Sequence, residues 1–290
     1  MDVSILLIQI LNSVQYGLLL FLVASGLTLI FGIMGVINLA HGSFYMLGAY
    51  AAFTLSALTG NLFIAIALGV VLAVAFGYLL EWVFFSFLYR RDHLQQVLLT
   101  YGLILIFEEL RSIVVGDDVH GVAAPAALAG SIPLGTTMTY PVYNLLISAA
   151  CLVVAALLFG LLRYTRLGMM IRAGASNREM VRSLGIDIEF LFRVVFALGV
   201  ALAAFAGMIS APASSVYPGM GNQVLIICFV VVVIGGIGSV PGALVAALLI
   251  GFVDTFGKVF LADYAGILIY LLMAVILVWR PEGLFRESAV

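Results

Sequence analysis

The chain has 290 residues, of which 65% are hydrophobic and 9% are charged, and its formal net charge is −2. This composition excludes a soluble globular domain, in which about half of the residues are apolar, and the charge balance gives no reason to expect a nucleic acid as a partner. Several continuous apolar runs reach the roughly 18 residues that cross a bilayer as a helix, whereas the strands of a membrane β-barrel alternate. The sequence therefore predicts an all-α fold, a polytopic bundle of membrane helices.

The apolar runs predict about 8–10 membrane segments in one transmembrane domain that covers the whole chain. The opening "MDVSILLIQI" has no basic residue, so we expect it to begin the first membrane helix rather than to form a cleaved signal. The segments are expected near residues 5–31, 38–58, 62–88, 94–115, 141–162, 190–212, 222–239, 241–258 and 264–279. Cys151 and Cys228 lie inside apolar runs, where we expect buried thiols with no disulfide and no metal site.

The second segment opens with "NLAHGSFYMLGAY", which places Asn38, His41 and Ser43 close together in an apolar run. This pattern favours a broken or partly re-entrant helix. The stretch "GGIGSVPGA" interrupts the segments 222–239 and 241–258 in the same manner. Aligning 35–42 with 235–242 superimposes two glycines and an isoleucine, so the sequence also suggests an inverted repeat whose broken segments mark a transport site.

Basic residues set the expected orientation, because they concentrate in cytoplasmic loops. Of the twelve basic residues, Arg111 and Lys258 stand apart, and the others form three clusters: Arg90 and Arg91; Arg163, Arg166, Arg172, Arg178, Arg182 and Arg193; Arg280 and Arg286. The loop near 116–140 carries acidic residues and no Lys or Arg. We therefore expect the clusters and the C-terminus in the cytoplasm. The side of the N-terminus depends on how many segments cross, which the sequence leaves open.

Residues 173–187, "AGASNREMVRSLGID", gather polar and charged side chains in a chain that has few of them. Ser176 and Glu179 have the spacing of a capping box, in which side chain and backbone satisfy each other at a helix start. Gly185 stands where a left-handed residue would end the helix, and Asp187 can cap the next one. The sequence therefore predicts a short capped helix over 177–184.

This short helix is predicted to lie on the membrane bundle. Met180, Val181 and Leu184 share one side of it at helical spacing, followed by Ile188, and we expect that side to contact the protein. The opposite side offers arginines to water or to a partner. Two interpretations remain open, an ordinary basic loop and a docking element, and the two caps favour docking because a linker needs no defined shape.

Several motifs resemble the branched-chain amino-acid permease family of ATP-binding-cassette (ABC) importers. The stretch 173–187 carries the matching Ala175, Asn177, Glu179, Gly185 and Ile186. "GLTLIFGIMGVINLAHGSFYMLGAY" is similar to the most characteristic stretch of that family. "LLTYGLILIFEEL" and the closing "RPEGLF" add weaker matches, so the resemblance spans the chain.

The sequence departs from the family pattern at two places. Trp82 follows Glu81 where an arginine is expected, and Glu108 and Glu109 stand where an amide is more usual. Since the family also carries amides, urea and other small organic solutes, these departures leave the substrate open between branched-chain amino acids and a related solute.

The resemblance implies an assembly in the inner (plasma) membrane. Its expected partners are a second related permease subunit, two cytoplasmic ATPase subunits and a periplasmic or extracellular solute-binding protein. ATP and Mg²⁺ would bind the ATPase subunits, and no cofactor is expected on this chain. The helix near 176–185 would be the coupling helix that docks on an ATPase subunit. Its expected coupling residues are Ala175, Ser176, Asn177, Arg178, Glu179, Arg182 and Gly185.

Polar residues in the apolar runs are candidates for the translocation path. We expect this path to be lined by Gly35, Asn38, His41, Gly42, Ser43, Thr100 and Tyr101. For each of the five polar side chains among them alone, an interhelical hydrogen bond worth about 0.6 kcal/mol is the simpler role. In such importers selectivity resides in the binding protein, so the path is expected to say little about the solute.

Two other classes of function are weaker alternatives. An intramembrane hydrolase would use His41 and Ser43, but a spacing of two turns helical side chains roughly 200° apart, and we expect no catalytic residue. A secondary transporter or channel would need paired intramembrane charges, for which Glu81, Glu108 and Glu109 are candidates. Glu108 can instead pair locally with Arg111. The stretch 251–258 lacks the spacing of a phosphate-binding loop, so no ATP site is expected.

Overall fold

The computed structural model describes residues 3–134 and 138–285, and helices dominate this part of the chain. The helices are α1 (Val3–Met34), α2 (His41–Thr59), α3 (Leu62–Val83), α4 (His93–Val115), α5 (Val142–Tyr164), α6 (Arg166–Ser176), α7 (Arg178–Ser183), α8 (Ile188–Ser210), α9 (Met220–Gly235), α10 (Val240–Phe260) and α11 (Ala265–Trp279). The all-α bundle is confirmed, apart from a small hairpin of β1 (Ser131–Pro133) and β2 (Thr139–Pro141).

Each predicted membrane segment overlaps one helix, α1 to α5 or α8 to α11. Of the described residues, six stretches are long and apolar enough to cross a membrane: α1, α3, α5, α8, α10 and residues 262–279, which include α11. The prediction of one helix over 62–88 was wrong at its end. Here α3 stops at Val83 and a separate 3₁₀ helix covers Phe85–Arg90. This kink turns the chain back towards α8, where Tyr89 packs edge-on against Phe192.

The bundle has two chemically different ends. The basic end holds α6 and α7, the segment 85–91 and the closing residues 280–285. The three basic clusters predicted from the sequence therefore meet at this end, as far as the structure describes them. Leu284 and Phe285 fix the closing motif by donating their amides to Ile234 and Gly235, at 2.8 and 3.2 Å. Arg286 lies outside the described residues.

The opposite end carries the loop between α4 and α5. Arg111 at the end of α4 approaches an Asp117 oxygen to 3.0 Å, and this hydrogen-bonded pair lowers the pKa of the Asp117 carboxyl. His120 and Val216 exchange backbone hydrogen bonds of 2.9 and 2.8 Å. The loop is therefore tied to the segment that follows α8.

Glycines let the long helices approach closely, as is common where apolar side chains gain nothing from leaving lipid. A Cβ placed on Gly17 would lie 3.0 Å from the Ala247 carbonyl oxygen, and one on Gly32 would lie 3.0 Å from Gly238 Cα. The helices α1 and α10 are therefore antiparallel. Comparable contacts of Gly77 with Ala197 and Val200 pack α3 against α8.

The order of elements recurs along the chain. A long helix, an irregular stretch and two helices joined by a short link appear first as α1, 35–40, α2 and α3, and again as α8, 211–219, α9 and α10. The end of α1 lies beside the start of α8, so these two helices run in opposite directions. The described chain therefore contains two structural repeats of inverted topology.

The predicted alignment of the repeats was wrong. Residues 235–242 form the tight link between α9 and α10, where a Cβ on Gly235 would lie 2.6 Å from the Gly242 carbonyl carbon. The counterpart of this link is the turn at Gly60 and Asn61 between α2 and α3. The break at 35–40 instead matches 211–219. A glycine in a tight link between two helices and a glycine in a broken helix look alike in sequence, since both allow close backbone approach.

Candidate functional site

The first candidate site is α7 at the basic end. The side chain that caps its start is Asn177, whose Oδ1 accepts the amide of Met180 at 3.0 Å. Ser176 is the last residue of α6 and does not cap α7. The predicted capping box was therefore wrong by one residue, because α6 continues to Ser176 and leaves the extended position to Asn177.

The end of α7 follows the prediction. Gly185 has a φ of 84°, a left-handed conformation that glycine adopts without steric cost. Its amide donates to Arg182 O at 3.0 Å, and the Ile186 amide donates to Val181 O at 3.4 Å. This pair of bonds is a Schellman motif, which closes the last helical turn. Asp187 then caps α8 by accepting the Phe190 amide at 3.0 Å, as predicted.

The surface of α7 differs from the prediction. Only Val181 rests on the bundle, with 3% of its surface exposed, whereas Met180 and Leu184 are 62% and 71% exposed. The expectation that all of them pack on the protein was wrong, because six helical residues leave room for one anchor. Since flexible Met side chains suit adaptable protein contacts, the exposed pair gives α7 an apolar tip beside its charges.

A groove separates α7 from the segment 85–91. Its volume is about 850 Å³. Charged side chains of both signs line it: Arg91, Arg178, Arg182, Glu179, Asp187 and Glu189. A groove with this mixture of charges beside an apolar tip has the composition expected of a protein-docking surface rather than of a site for an apolar solute.

A buried carboxylate links the segment 85–91 to the start of α8 beside this groove. Glu81 at the end of α3 accepts a hydrogen bond from the Tyr89 hydroxyl. Arg193 Nε on α8 lies 3.5 Å from Glu81 Oε2, and its Nη2 lies 3.7 Å from Glu189. Sequence reasoning assigned Arg193 only to a basic cluster and missed this link. Trp82, the departure from the family pattern, is exposed and takes no part in it.

The second candidate site is the break between α1 and α2. Asn38, His41 and Ser43 are all buried there. His41 Nε2 lies 2.9 Å from the Val23 carbonyl oxygen of α1, and Asn38 Oδ1 accepts the Ala40 amide at 3.0 Å. The chain therefore turns back from the end of α1 to the level of Val23 before α2 begins, which is the predicted broken helix.

The starts of α2 and α9 meet at this break. A Cβ on Gly42 would collide with the Gly221 carbonyl oxygen and lie 2.7 Å from Leu225 Cβ. A Cβ on Gly221 would lie 2.6 Å from the Gly42 carbonyl oxygen. The contact is reciprocal, as a pseudo-two-fold axis between the repeats requires. Sequence reasoning selected Gly42 but missed Gly221. The polar residues beside Gly221, Asn222 and Gln223, lie at the start of an apolar run and do not interrupt it.

Thr100 and Tyr101 do not join this break. Thr100 is buried on α4 and donates to the carbonyls of Gln96 and Val97, at 3.0 and 3.1 Å. Tyr101 faces outwards and is 53% exposed. In the described residues no hydrogen bond connects either of them to residues 35–43, so the structure divides the predicted path residues into a group at the break and a pair on α4.

The geometry does not favour the two alternative functions. Among the described residues His41 Nδ1 has no hydrogen-bond partner, so Ser43 receives no base from it. Glu81 is paired at the basic end and Glu108 lies 3.4 Å from Arg111 at the opposite end. The carboxylates are thus in local ion pairs at separate ends rather than in a chain that could relay ions.

Comparison with known proteins agrees with this geometry. The family described as "Branched-chain amino acid transport system / permease component" matches residues 9–277. No solved structure matches the chain. The match covers both inverted repeats and α7, so it includes both candidate sites.

Individual relatives align over nearly the whole chain. The high-affinity branched-chain amino acid transport system permease protein BraD of Pseudomonas aeruginosa is 32% identical over 97% of this chain and 96% of its own. The corresponding protein LivH of Escherichia coli is 29% identical with the same coverage. LivM of Escherichia coli, another permease protein of that system, is 25% identical over 89% of this chain and 66% of its own.

Proposed function

Because the chain belongs to the branched-chain amino acid transport system permease family, we propose that it carries a branched-chain amino acid or a related small organic solute. The names of BraD and LivH support this substrate class. The chain is a permease subunit of an ABC importer, a transporter component rather than an enzyme.

The proposed partners follow from the surface that α7 presents. The observation that carries this proposal is the capped α7, whose Met180 and Leu184 are exposed beside a groove of mixed charge. An ATPase subunit would cover this tip, and a second ATPase subunit would dock on a related permease such as a LivM-like protein. ATP and Mg²⁺ would bind those ATPase subunits, and a solute-binding protein would deliver the solute from outside.

The proposed orientation puts the basic end in the cytoplasm, in keeping with the preference of basic loops for that side. The gathering of α6, α7, the segment 85–91 and the closing residues at this end supports it. The C-terminus would then be cytoplasmic. Since the 32-residue α1 ends at the basic end, where Gly35 approaches Arg178, its start and the N-terminus would lie outside.

The proposed translocation path passes the break at 35–43. Buried polar groups are costly in a membrane and are usually kept for function. Asn38 and His41 each keep one buried nitrogen that has no hydrogen-bond partner in the described part of the chain. Such groups can receive a polar solute when α2 and α9 move apart.

Co-purification tests the proposed assembly. The tagged chain, expressed with its chromosomal neighbours, should recover two copies of an ATPase subunit and one related permease, identified by mass. ATP hydrolysis should be absent from the purified chain and present in the complex. An ATPase activity that stays with the chain alone, or uptake without an ATPase subunit, would contradict the proposal.

A further inference from the structure

The first residue of α7 reaches into the break between α1 and α2. A Cβ placed on Gly35 would lie 2.8 Å from Nη2 of Arg178, and its three nearest heavy atoms all belong to that guanidinium group. Gly35 has a φ of 62°, so other residues are disfavoured there by the backbone as well. The guanidinium therefore occupies the space that any side chain at position 35 would need.

The aromatic ring of Phe192 is a second neighbour of this guanidinium. The Cζ atom of Arg178 lies 5.9 Å from the centre of the Phe192 ring, within the distance of a cation–π contact. Phe192 stands on α8 and is itself buried against Tyr89. The guanidinium of Arg178 thus lies near both a buried aromatic ring and the turn at Gly35.

Gly35 opens the non-helical connection between α1 and α2. Its amide donates to Phe31 O at 2.8 Å and ends α1. The chain then passes through Asn38 to His41, where α2 begins against Gly221. A displacement of Gly35 would therefore move the stretch 35–40 that leads to the start of α2.

Arg178 also belongs to the groove in which a partner would dock. One guanidinium therefore borders both candidate sites, the docking surface and the broken segment. Arg91 and Arg182 also line the groove. In the described chain neither of them is among the atoms nearest to a glycine, as Arg178 is to Gly35.

From this geometry we propose that Arg178 is a positioning residue that transmits movement of α7 to the segment 35–40 and so to the path. The inference rests on the proposed function, since it needs an ATPase subunit that moves α7. The branched guanidinium, rather than the charge alone, carries this role, because a single lysine ammonium cannot lie beside the Gly35 turn and the Phe192 ring at once.

Arg178→Lys tests the proposal in the purified complex. The positive charge is kept, so the ATPase subunits should still be recovered with the chain. Uptake per ATP hydrolysed should fall by at least about fivefold, the lower end of common couplings between sites. Arg166→Lys is the matched control, since Arg166 is exposed on α6 at the same end, and its ratio should stay at the wild-type value.

A labelling experiment separates transmission from simple stability. With Cys151→Ala and Cys228→Ala as background, Ile37→Cys places one thiol in the broken segment. A non-hydrolysable ATP analogue should change the maleimide labelling rate of this thiol in the Arg178 complex. The change should be lost in Arg178→Lys and also in Gly35→Ala, which replaces no residue of the docking groove but places a methyl group against the guanidinium.

The outcomes are distinguishable. If no form of the chain recovers ATPase subunits, the proposed function fails and the role of Arg178 fails with it. If Arg178→Lys assembles and keeps both uptake and the nucleotide-dependent labelling change, the assembly stands and transmission through Arg178 is wrong. If Arg178→Lys alone loses its ATPase subunits, the residue serves docking and transmission is likewise overturned.

Discussion

At the scale of single residues, Asn177 and Ser176 show that two neighbouring residues can compete for the N-cap position of one helix. Both are good N-cap residues, and Glu179 stands three positions after Ser176 as a capping box requires. The structure gives the role to Asn177 because α6 runs on to Ser176 and its backbone is already helical. A cap needs an extended residue, and which residue is extended depends on the preceding helix.

Asn177→Ala should loosen the start of α7. Losing an N-cap costs about 0.5–2 kcal/mol, so the Met180 amide should exchange hydrogen roughly 2- to 30-fold faster in the purified chain. Hydrogen exchange read by mass spectrometry measures this directly. Ser176→Ala is the matched control and should leave the exchange of Met180 unchanged. Faster exchange in Ser176→Ala than in Asn177→Ala would instead show that Ser176 caps α7, as the capping box predicted.

At the scale of elements, the crossing of α2 and α9 depends on two glycines. A methyl group at position 42 would meet the Gly221 carbonyl and Leu225, and neither backbone can yield without separating the two helix starts. The crossing therefore tolerates no side chain at either position.

Gly42→Ala should therefore stop transport and lower the thermal stability of the protein, and Gly221→Ala should do the same. Overpacking of this kind typically costs about 1–3 kcal/mol. Gly102→Ala is the control, since a Cβ there meets nothing within 4 Å and alanine should stabilise α4 slightly. Uptake assays and thermal unfolding in detergent provide the readouts. Near-normal uptake in Gly42→Ala would show that the crossing neither lines nor gates the path.

The elements also show what sequence reasoning can and cannot reach. Continuous apolar runs located the membrane helices, and the polar cluster around His41 located the break, because both patterns are local. The alignment of the repeats, Gly221 and the contact of Arg178 with Gly35 stayed hidden. Each depends on which backbones meet across distant parts of the chain, and a glycine in sequence does not say what it approaches.

At the scale of the whole molecule, the charges are placed for an assembly. The basic end presents α7, the groove and the closing residues, while Arg111 and Asp117 mark the opposite end. Between them the inverted repeats bring the breaks at 35–40 and 211–219 to one crossing. A soluble ATPase below and a solute source above would therefore act on the same pair of helix starts.

Uptake by the reconstituted complex tests this account most directly. Proteoliposomes would hold the complex, with ATP inside and the solute-binding protein outside with radiolabelled leucine, or with valine, isoleucine or urea in parallel. We expect accumulation of one of these solutes that requires ATP hydrolysis, the binding protein and the ATPase subunits together. Equal uptake without ATP, driven by an ion gradient across the vesicle membrane, would contradict the account.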